Sequence, residues 1–568
     1  MAQLFDRRAV LKASVASAAA AAAPGLWLPA RAATPAWLTQ TLSPFVEVEI
    51  DSGRLRGGHS RGALAFKGIP YAGPVSGKNR FKAPPAVIPW TGVRDATLLG
   101  PPSLQEPGTT YGEHEPAYSE DCLVLNVWTP AVKDGGRRPV MLYCHGGGFT
   151  TGSGGHRIQD GAHLAAAYDV VVVDINHRLG LLGYLYLGEL GGEAYATSGN
   201  QGMLDIVAAL SWVKTNIATF GGNPDNVMVF GESGGGAKTS ALMAMPAARG
   251  LFHKAGVQSG PMLRGVPRET ATETARRVLA GLGLTAKDIG RLADVPGQTL
   301  IDMQIAGYKG AGPLSVPTDA YRASHLAAPA PLGPFGTVRP GVWGPVVDGT
   351  YLPRDPFDPT APQLCAAIPL LIGCMRDEAT FFERDHPAFF NADEATVTAS
   401  ARKAFGDSAD RILAAYRRSM PDATPVERAI AIETAVSMGS GTTILADRKS
   451  LQPAPVYRYR NDYSSNVPIK GTSWTLRAGH ATDIAVFFYN YEMNDLQGNG
   501  PGLAAASKAM SSYFASFARS GVPSAQDQPA WPRYDSQRRE VMLLNSTCRT
   551  VQDPDGELRG LWESLLKG

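Results

Sequence analysis

Gly231-Glu232-Ser233-Gly234-Gly235 sets one serine among glycines in the pattern G-x-S-x-G, which suits a hydroxyl held out on a tight strand-to-helix turn for attack on a carbonyl carbon. Such a hydroxyl needs a base to take its proton and preplaced donors to hold the oxyanion that forms. The pattern alone is weak in a glycine-rich chain, and Gly58-His59-Ser60-Arg61-Gly62 fits it equally well. Context separates the two. Ser60 lies between alternating apolar stretches and reads as a hairpin turn, whereas Ser233 follows the apolar run Val227 to Phe230 and precedes a helical run, Gly235 to Ala244. Ser233 is the candidate nucleophile. His145-Gly146-Gly147-Gly148-Phe149 follows the strand-like PVMLYC, and consecutive glycines there can turn main-chain N–H groups toward one point. Gly147, Gly148 and the amide of Gly234 are the candidate oxyanion donors.

The elements that must position these groups show in the hydrophobic patterning. Phe45 to Tyr71 alternates apolar and polar residues with Gly punctuation and reads as an antiparallel meander. After Cys122, short Val- and Leu-rich runs (LVLNVWTP, PVMLYC, VVVVDI, NVMVFGES) read as buried strands, with a helical pattern from Met203 to Thr219 between the last two. Strands alternating with helices predict an α/β fold: a large, mostly parallel sheet with helices on both faces. Glu269 to Ile305 and Ala392 to Asp447 read as mainly helical, and the Pro- and Gly-dense segment Gly310 to Pro362 as loop. The expected organisation is one large domain, residues 33–568, with insertions near 265–342 and 388–450.

The serine turn resembles that of α/β hydrolases, a likeness that implies that the acid and then the histidine follow it in the chain. Of the ten His, only His253, His325, His386 and His480 follow Ser233. Leu370 to Gly373 reads as a strand running into Cys374-Met375-Arg376-Asp377-Glu378, and a carboxylate just past a strand end can reach across the crevice, which places the acid near 378. His386 sits in polar ERDHP, before a proline, and reads as surface loop; His480 precedes the apolar TDIAVFFYN and is the favoured base.

Composition excludes several other functions. Lys and Arg number 53 against 51 Asp and Glu, so no basic surplus exists to hold a nucleic-acid backbone. The five Cys are scattered, without the CxxC pairing of structural zinc, and neither metal nor organic cofactor is called for. Residues 1–32 read as an export signal of the twin-arginine kind: Arg7-Arg8 is followed by a weakly apolar Ala-rich stretch ending at Ala30-Arg31-Ala32. Cleavage after Ala32 would leave a near-neutral periplasmic or secreted protein. No stable membrane span is expected in it, and Pro24 and Gly25 already interrupt the leader's apolar run.

Taken together, GESGG, HGGGF, FKGIPYA (66–72), SEDCLVLNVWTP (119–130), the segment 199–233, QSG (258–260) and GPVVDGTYLP (344–353) resemble the type B carboxylesterase and cholinesterase family, in family order through most of the chain. The resemblance implies an α/β-hydrolase fold and hydrolysis of a small-molecule carboxylic ester. Ser233 would be the nucleophile, Glu378 the orienting acid in preference to Asp377, His480 the general acid and base, and Ser259 a hydrogen-bonding support for the acid. It also implies that the chain departs from the family pattern at several positions. Cys122 has no upstream Cys, and Ser103 stands at the partner position. Gly234 stands where Ala is usual, Lys238 where Ser is usual, and His177 where Tyr is usual. For Lys238 two roles are open: a cation near the catalytic acid or an acidic substrate, or a structural lysine paired with a carboxylate or reaching solvent. Two other readings compete. Ser211-Trp212-Val213-Lys214 matches S-x-x-K but lies within a helical run, and adhesion proteins of the same fold are catalytically silent, although they typically lack the serine that this chain keeps. The acyl and alcohol preferences and the oligomeric state are not legible.

Overall fold

The structure, a computed structural model, describes residues 44–106, 117–308, 314, 343–493 and 496–567. The expected export signal, His325 and much of the 309–342 insertion lie outside them. The chain opens, as its alternation predicts, with β1 (Phe45–Ile50), β2 (Gly53–Ser60) and β3 (Ala63–Pro70) in antiparallel register. Arg61 and Gly62 take positive φ at the tip between β2 and β3, so Ser60 does belong to a hairpin. A short β4 (Val93–Asp95) pairs alongside β2.

The sheet continues through β5 (Val124–Thr129), β6 (Arg138–Cys144), β7 (Val171–Ile175), β8 (Gly222–Glu232) and β9 (Lys254–Gln258). A two-residue parallel pair, β10 (Val266–Pro267) and β11 (Val346–Val347), stands apart. The main sheet resumes with β12 (Leu370–Met375) and β13 (Val456–Asn461), then, past a small hairpin of β14 (Ser465–Pro468) and β15 (Thr475–Arg477), ends with β16 (Glu540–Leu544) and β17 (Arg549–Gln552). The main sheet has thirteen strands in the order β1-β2-β3-β5-β7-β6-β8-β9-β12-β13-β16-β17, with β4 off the path on β2. From β7 to β16 every neighbouring pair is parallel.

Every residue of β6 is buried, as it must be when helices cover both faces and strands read as continuous apolar runs. The two-residue period still sorts its side chains. Val140, Leu142 and Cys144 enter one apolar core, while Met141 and Tyr143 enter the other. Helix Gln201–Asn216 seals the first core with Met203, Ile206, Leu210 and Val213; helix Leu503–Ser520 seals the second with Met510, Phe514 and Phe517. Each such fully buried apolar side chain contributes roughly 1.5–3 kcal/mol of transfer free energy. The expected helical stretches break into pieces: Arg268–Gly281, Ala286–Ala293 and Gly297–Tyr308 in the first, and Glu394–Phe405, Ala409–Ser419, Pro425–Thr434 and Ser440–Ser450 in the second. Pro425–Ser450, which includes a π turn at Ala435–Gly439, is long and apolar enough to span a bilayer. Its Ile430, Ile432 and Leu445 are nevertheless spent on cores, as in an ordinary packed helix.

Candidate active site

The site gathers at the C-terminal ends of neighbouring parallel strands, where an open α/β sheet forms its crevice. Ser233 follows β8 directly, with φ 56° and ψ −122°, a conformation a non-glycine residue avoids at a cost of order 1–3 kcal/mol. Bonds on both sides hold it there. Its N–H donates to Gln258 O (2.8 Å), continuing the ladder to β9, and its carbonyl accepts from Ala237 N–H (3.0 Å), starting helix Gly234–Leu242. The helix start is jammed against β6: a Cβ on Gly235 would lie 1.9 Å from Cys144 O. Only glycine fits there, so the motif's small residues are required by packing as well as by the turn.

After β6, the loop 145–149 carries Gly147 and Gly148 at φ 82° and 61°. Among the described residues their N–H groups donate to no protein acceptor, and Gly234 N–H, first in its helix, has none within that helix. Three unspent amides thus stand beside Ser233.

β12 ends at Met375, and Glu378 follows at the first turn of a short helix. Fully buried, Glu378 accepts from Met375 N–H through Oε1 (2.8 Å) and faces His480 Nδ1 through Oε2 at 2.5 Å. Asp377 is turned away, paired with Arg376 at 2.8 Å and Arg477 at 3.5 Å. The His480 ring lies against Phe382 (centroids 4.6 Å apart), and its Nε2 stands 3.2 Å from Glu232 Oε1. Ser233 Oγ makes no hydrogen bond among the described residues; the imidazole edge that would serve it rests on its chain neighbour, Glu232.

Two carboxylates that the sequence reading passed over complete this half of the site. Glu232 and Asp483 are buried, and beyond the Nε2 contact of Glu232 neither is paired with a cation among the described residues. Burial raises both, and the Glu378 charge raises them further, while His480 opposes. For His480 burial favours the neutral ring, but the charges of Glu232 and Glu378 prevail and lift it to about 9. Their signals were the variable x of G-x-S-x-G and the third residue after the histidine, neither of which demands a carboxylate by itself.

Ser259 requires a correction. Its buried Oγ has no hydrogen-bond partner among the described residues, and its N–H is spent on Gly373 O (2.8 Å). The acid is braced by the Met375 main chain instead, because that amide is left over where β12 ends. The other candidates fall away. His253 accepts from Val227 N–H (3.1 Å), His386 pairs with Glu383 at 3.0 Å, and the exposed Ser211 donates within its helix to Val207 O (3.0 Å) while Lys214 pairs with Asp225. Cys122 lies against Ser103, and all five cysteines are free.

Lys238 fits neither role expected of it. It is fully buried, and its Nζ donates to His145 O (2.9 Å); among the described residues no carboxylate pairs with it. His177 stacks on His145, centroids 4.7 Å apart and planes within 8°. A cavity of about 660 Å³ lies elsewhere, behind β12 and β13, lined by Arg458, Arg460, Tyr416 and Trp562 and by neither Ser233 nor His480.

A parallel sheet with a serine elbow, an imidazole and a buried carboxylate at its strand ends defines an α/β hydrolase, and comparison with known proteins narrows the class. Residues 43–557 match the carboxylesterase family, and the chain belongs to it. It is 34% identical over 515 residues to the para-nitrobenzyl esterase of Bacillus subtilis, covering 89% of this chain and 96% of that protein. It is 32% identical to the phenmedipham hydrolase of Pseudarthrobacter oxydans, over 89% of this chain and 97% of that one. The structure of a Geobacillus stearothermophilus carboxylesterase superposes with a TM-score of 0.75 at 35% identity, covering 91% of this chain and 99% of that one. The protein is a carboxylesterase, a hydrolase of esters.

Proposed function

We propose that the chain hydrolyses small-molecule carboxylic esters through a Ser233 acyl-enzyme, with His480 as base and Glu378 as orienting acid. The observation that carries this reading is the convergence of Glu378, His480 and the Ser233 elbow from three separate chain segments, with Nδ1 of the imidazole 2.5 Å from the carboxylate. Glu378 holds the proton on Nδ1, so Nε2 is the edge that works. Nε2 swings from Glu232 to Ser233 Oγ and takes its proton as the oxygen attacks the ester carbonyl. The amides of Gly147, Gly148 and Gly234 receive the oxyanion, and the imidazolium then protonates the departing alcohol. Water, deprotonated by the same Nε2, attacks the acyl carbon and frees the acid. Loss of one oxyanion donor costs such enzymes roughly 10² to 10³ in rate.

Relatives named for p-nitrobenzyl esters, phenmedipham and fumonisin B1, and a structural relative from Clostridium hathewayi described as hydrolysing aliphatic aromatic polyesters, support ester hydrolysis as the reaction. The Arg7-Arg8 leader supports action outside the cytoplasm. The test is labelling with a fluorophosphonate followed by peptide mapping. A single adduct on Ser233, lost in Ser233→Ala together with activity, is the expected result; an adduct on Ser211, or none on folded protein, refutes the mechanism.

A further inference from the structure

Lys238 is an unusual expense. An ammonium with no exposure and no countercharge among the described residues gives up its hydration for one hydrogen bond to a carbonyl. Its surroundings are arranged to receive a cation by neutral means. Nζ lies 5.6 Å from the centre of the Phe149 ring, a cation–π contact, and 2.9 Å from His145 O, so it touches both ends of the loop 145–149. His145 Nδ1 is 2.9 Å from Gly146 O and His177 Nδ1 3.0 Å from Arg178 O. A carbonyl can only accept, so both Nδ1 atoms carry the proton and both Nε2 atoms keep a lone pair, which no donor within the described residues takes up. Burial first, and the Lys238 charge next, hold both rings neutral. Cys144, the other titratable group beside the ammonium, is pushed up to about 12 by burial and stays a thiol. Asp174, behind Cys144, is raised well above the carboxylate range by burial. The cation therefore sits among neutral acceptors directly beneath the glycine loop.

A second contact ties the same loop to the elbow. A Cβ on Gly234 would lie 2.0 Å from Gly148 O, so the loop is drawn against the helix start more closely than any side chain at 234 permits.

We infer that Lys238 is a positioning residue for ester hydrolysis: it tethers the loop 145–149 from below and sets the Gly148 peptide against Gly234, and so fixes the amides that receive the oxyanion. This deepens the serine mechanism proposed above and rests on it. The amides so placed are used when negative charge develops on the substrate carbonyl oxygen, so loss of the tether acts on kcat and leaves KM nearly alone. Burial also brings the ammonium down to about 7, and the neutral amine can still donate to His145 O.

Lys238→Met keeps the volume and removes the charge. The expected result with p-nitrophenyl acetate is a kcat lower by about 10- to 100-fold, a KM within about threefold, and an equally weakened affinity for a trifluoromethyl ketone that forms a serine hemiketal. The melting temperature should hold or rise, because an unpaired buried cation has gone. Gly234→Ala should lose about 100-fold or more in kcat, and Gly234→Ala with Lys238→Ser should regain about tenfold of that, since the untethered loop can recede. A kcat within about twofold of wild type in Lys238→Met, a melting temperature that falls with activity, or a double variant no better than Gly234→Ala overturns the proposal. If Lys238→Met does not fold, Lys238→Ser takes its place, and if neither folds the residue is structural and the proposal fails. Fluorophosphonate labelling of the wild type separates the two levels. No adduct on Ser233 refutes the serine mechanism, whereas a normal adduct with unaltered Lys238→Met kinetics refutes the role of Lys238 alone.

Discussion

The two halves of the site handle buried charge in opposite ways. Around His480 stand three carboxyl groups, Glu232, Glu378 and Asp483, all buried, competing for one imidazole. Beneath the glycine loop stands one ammonium, Lys238, with neutral partners only. Acyl transfer makes positive charge on the imidazole and negative charge on the carbonyl oxygen. In the proposed mechanism each half thus faces the charge that would develop on its side once Nε2 has turned to Ser233.

The sharpest way to break this contrast is on the acidic side. His480→Ala removes the one group that the carboxylates serve, and kcat for a p-nitrophenyl ester should fall by about 10⁴-fold or more while circular dichroism stays unchanged. Glu378→Gln keeps the shape but can no longer hold the imidazolium or fix its tautomer, and a fall of about 10² to 10⁴ in kcat/KM is expected from steady-state kinetics. Glu232→Gln is subtler and moves a pH profile. Glu232 raises His480 by favouring its charged form, and the proposed base must be a neutral ring, so activity should climb as pH rises through the raised value. Removing that anion lowers the imidazole, and the ascending limb of kcat/KM should move down by about one pH unit. A limb that stays in place would show that Glu232 is not felt by the ring. Ser259→Ala should change least, with activity within about twofold and no loss of melting temperature, because its hydroxyl supports nothing that the structure describes. A large loss there would restore the support role assigned to Ser259 by family likeness.

The legibility of the site followed the locality of its signals. Ser233 and the HGGGF loop were readable because each pairs a motif with an adjoining apolar strand, and the hairpin of Ser60 was separable for the same reason. His480 followed from chain order and the polarity of its rivals' surroundings. The choice of Glu378 over Asp377 came from family likeness; the structure places Glu378 against the imidazole and Asp377 against Arg376. Glu232, Asp483 and the His145–His177 stack were invisible because no spacing announces a carboxylate or an imidazole whose partner is brought in by another segment of the fold. Lys238 was noticed as a departure but misjudged, since a lysine on a helix usually finds a carboxylate or water, and here the helix faces a strand end.

By itself the sequence determined the strands, the order in which they alternate with helices, and the residues able to do chemistry, because apolar periodicity and glycine placement are local properties of the chain. Tertiary structure alone decided which side chains share a dielectric. It packed Gly235 onto Cys144 and Gly234 onto Gly148, left the Ser259 hydroxyl without a partner among the described residues, and shut one lysine and three carboxyl groups away from water. Burial and distance set the strength of every charge interaction, and neither exists until distant strands have been brought side by side.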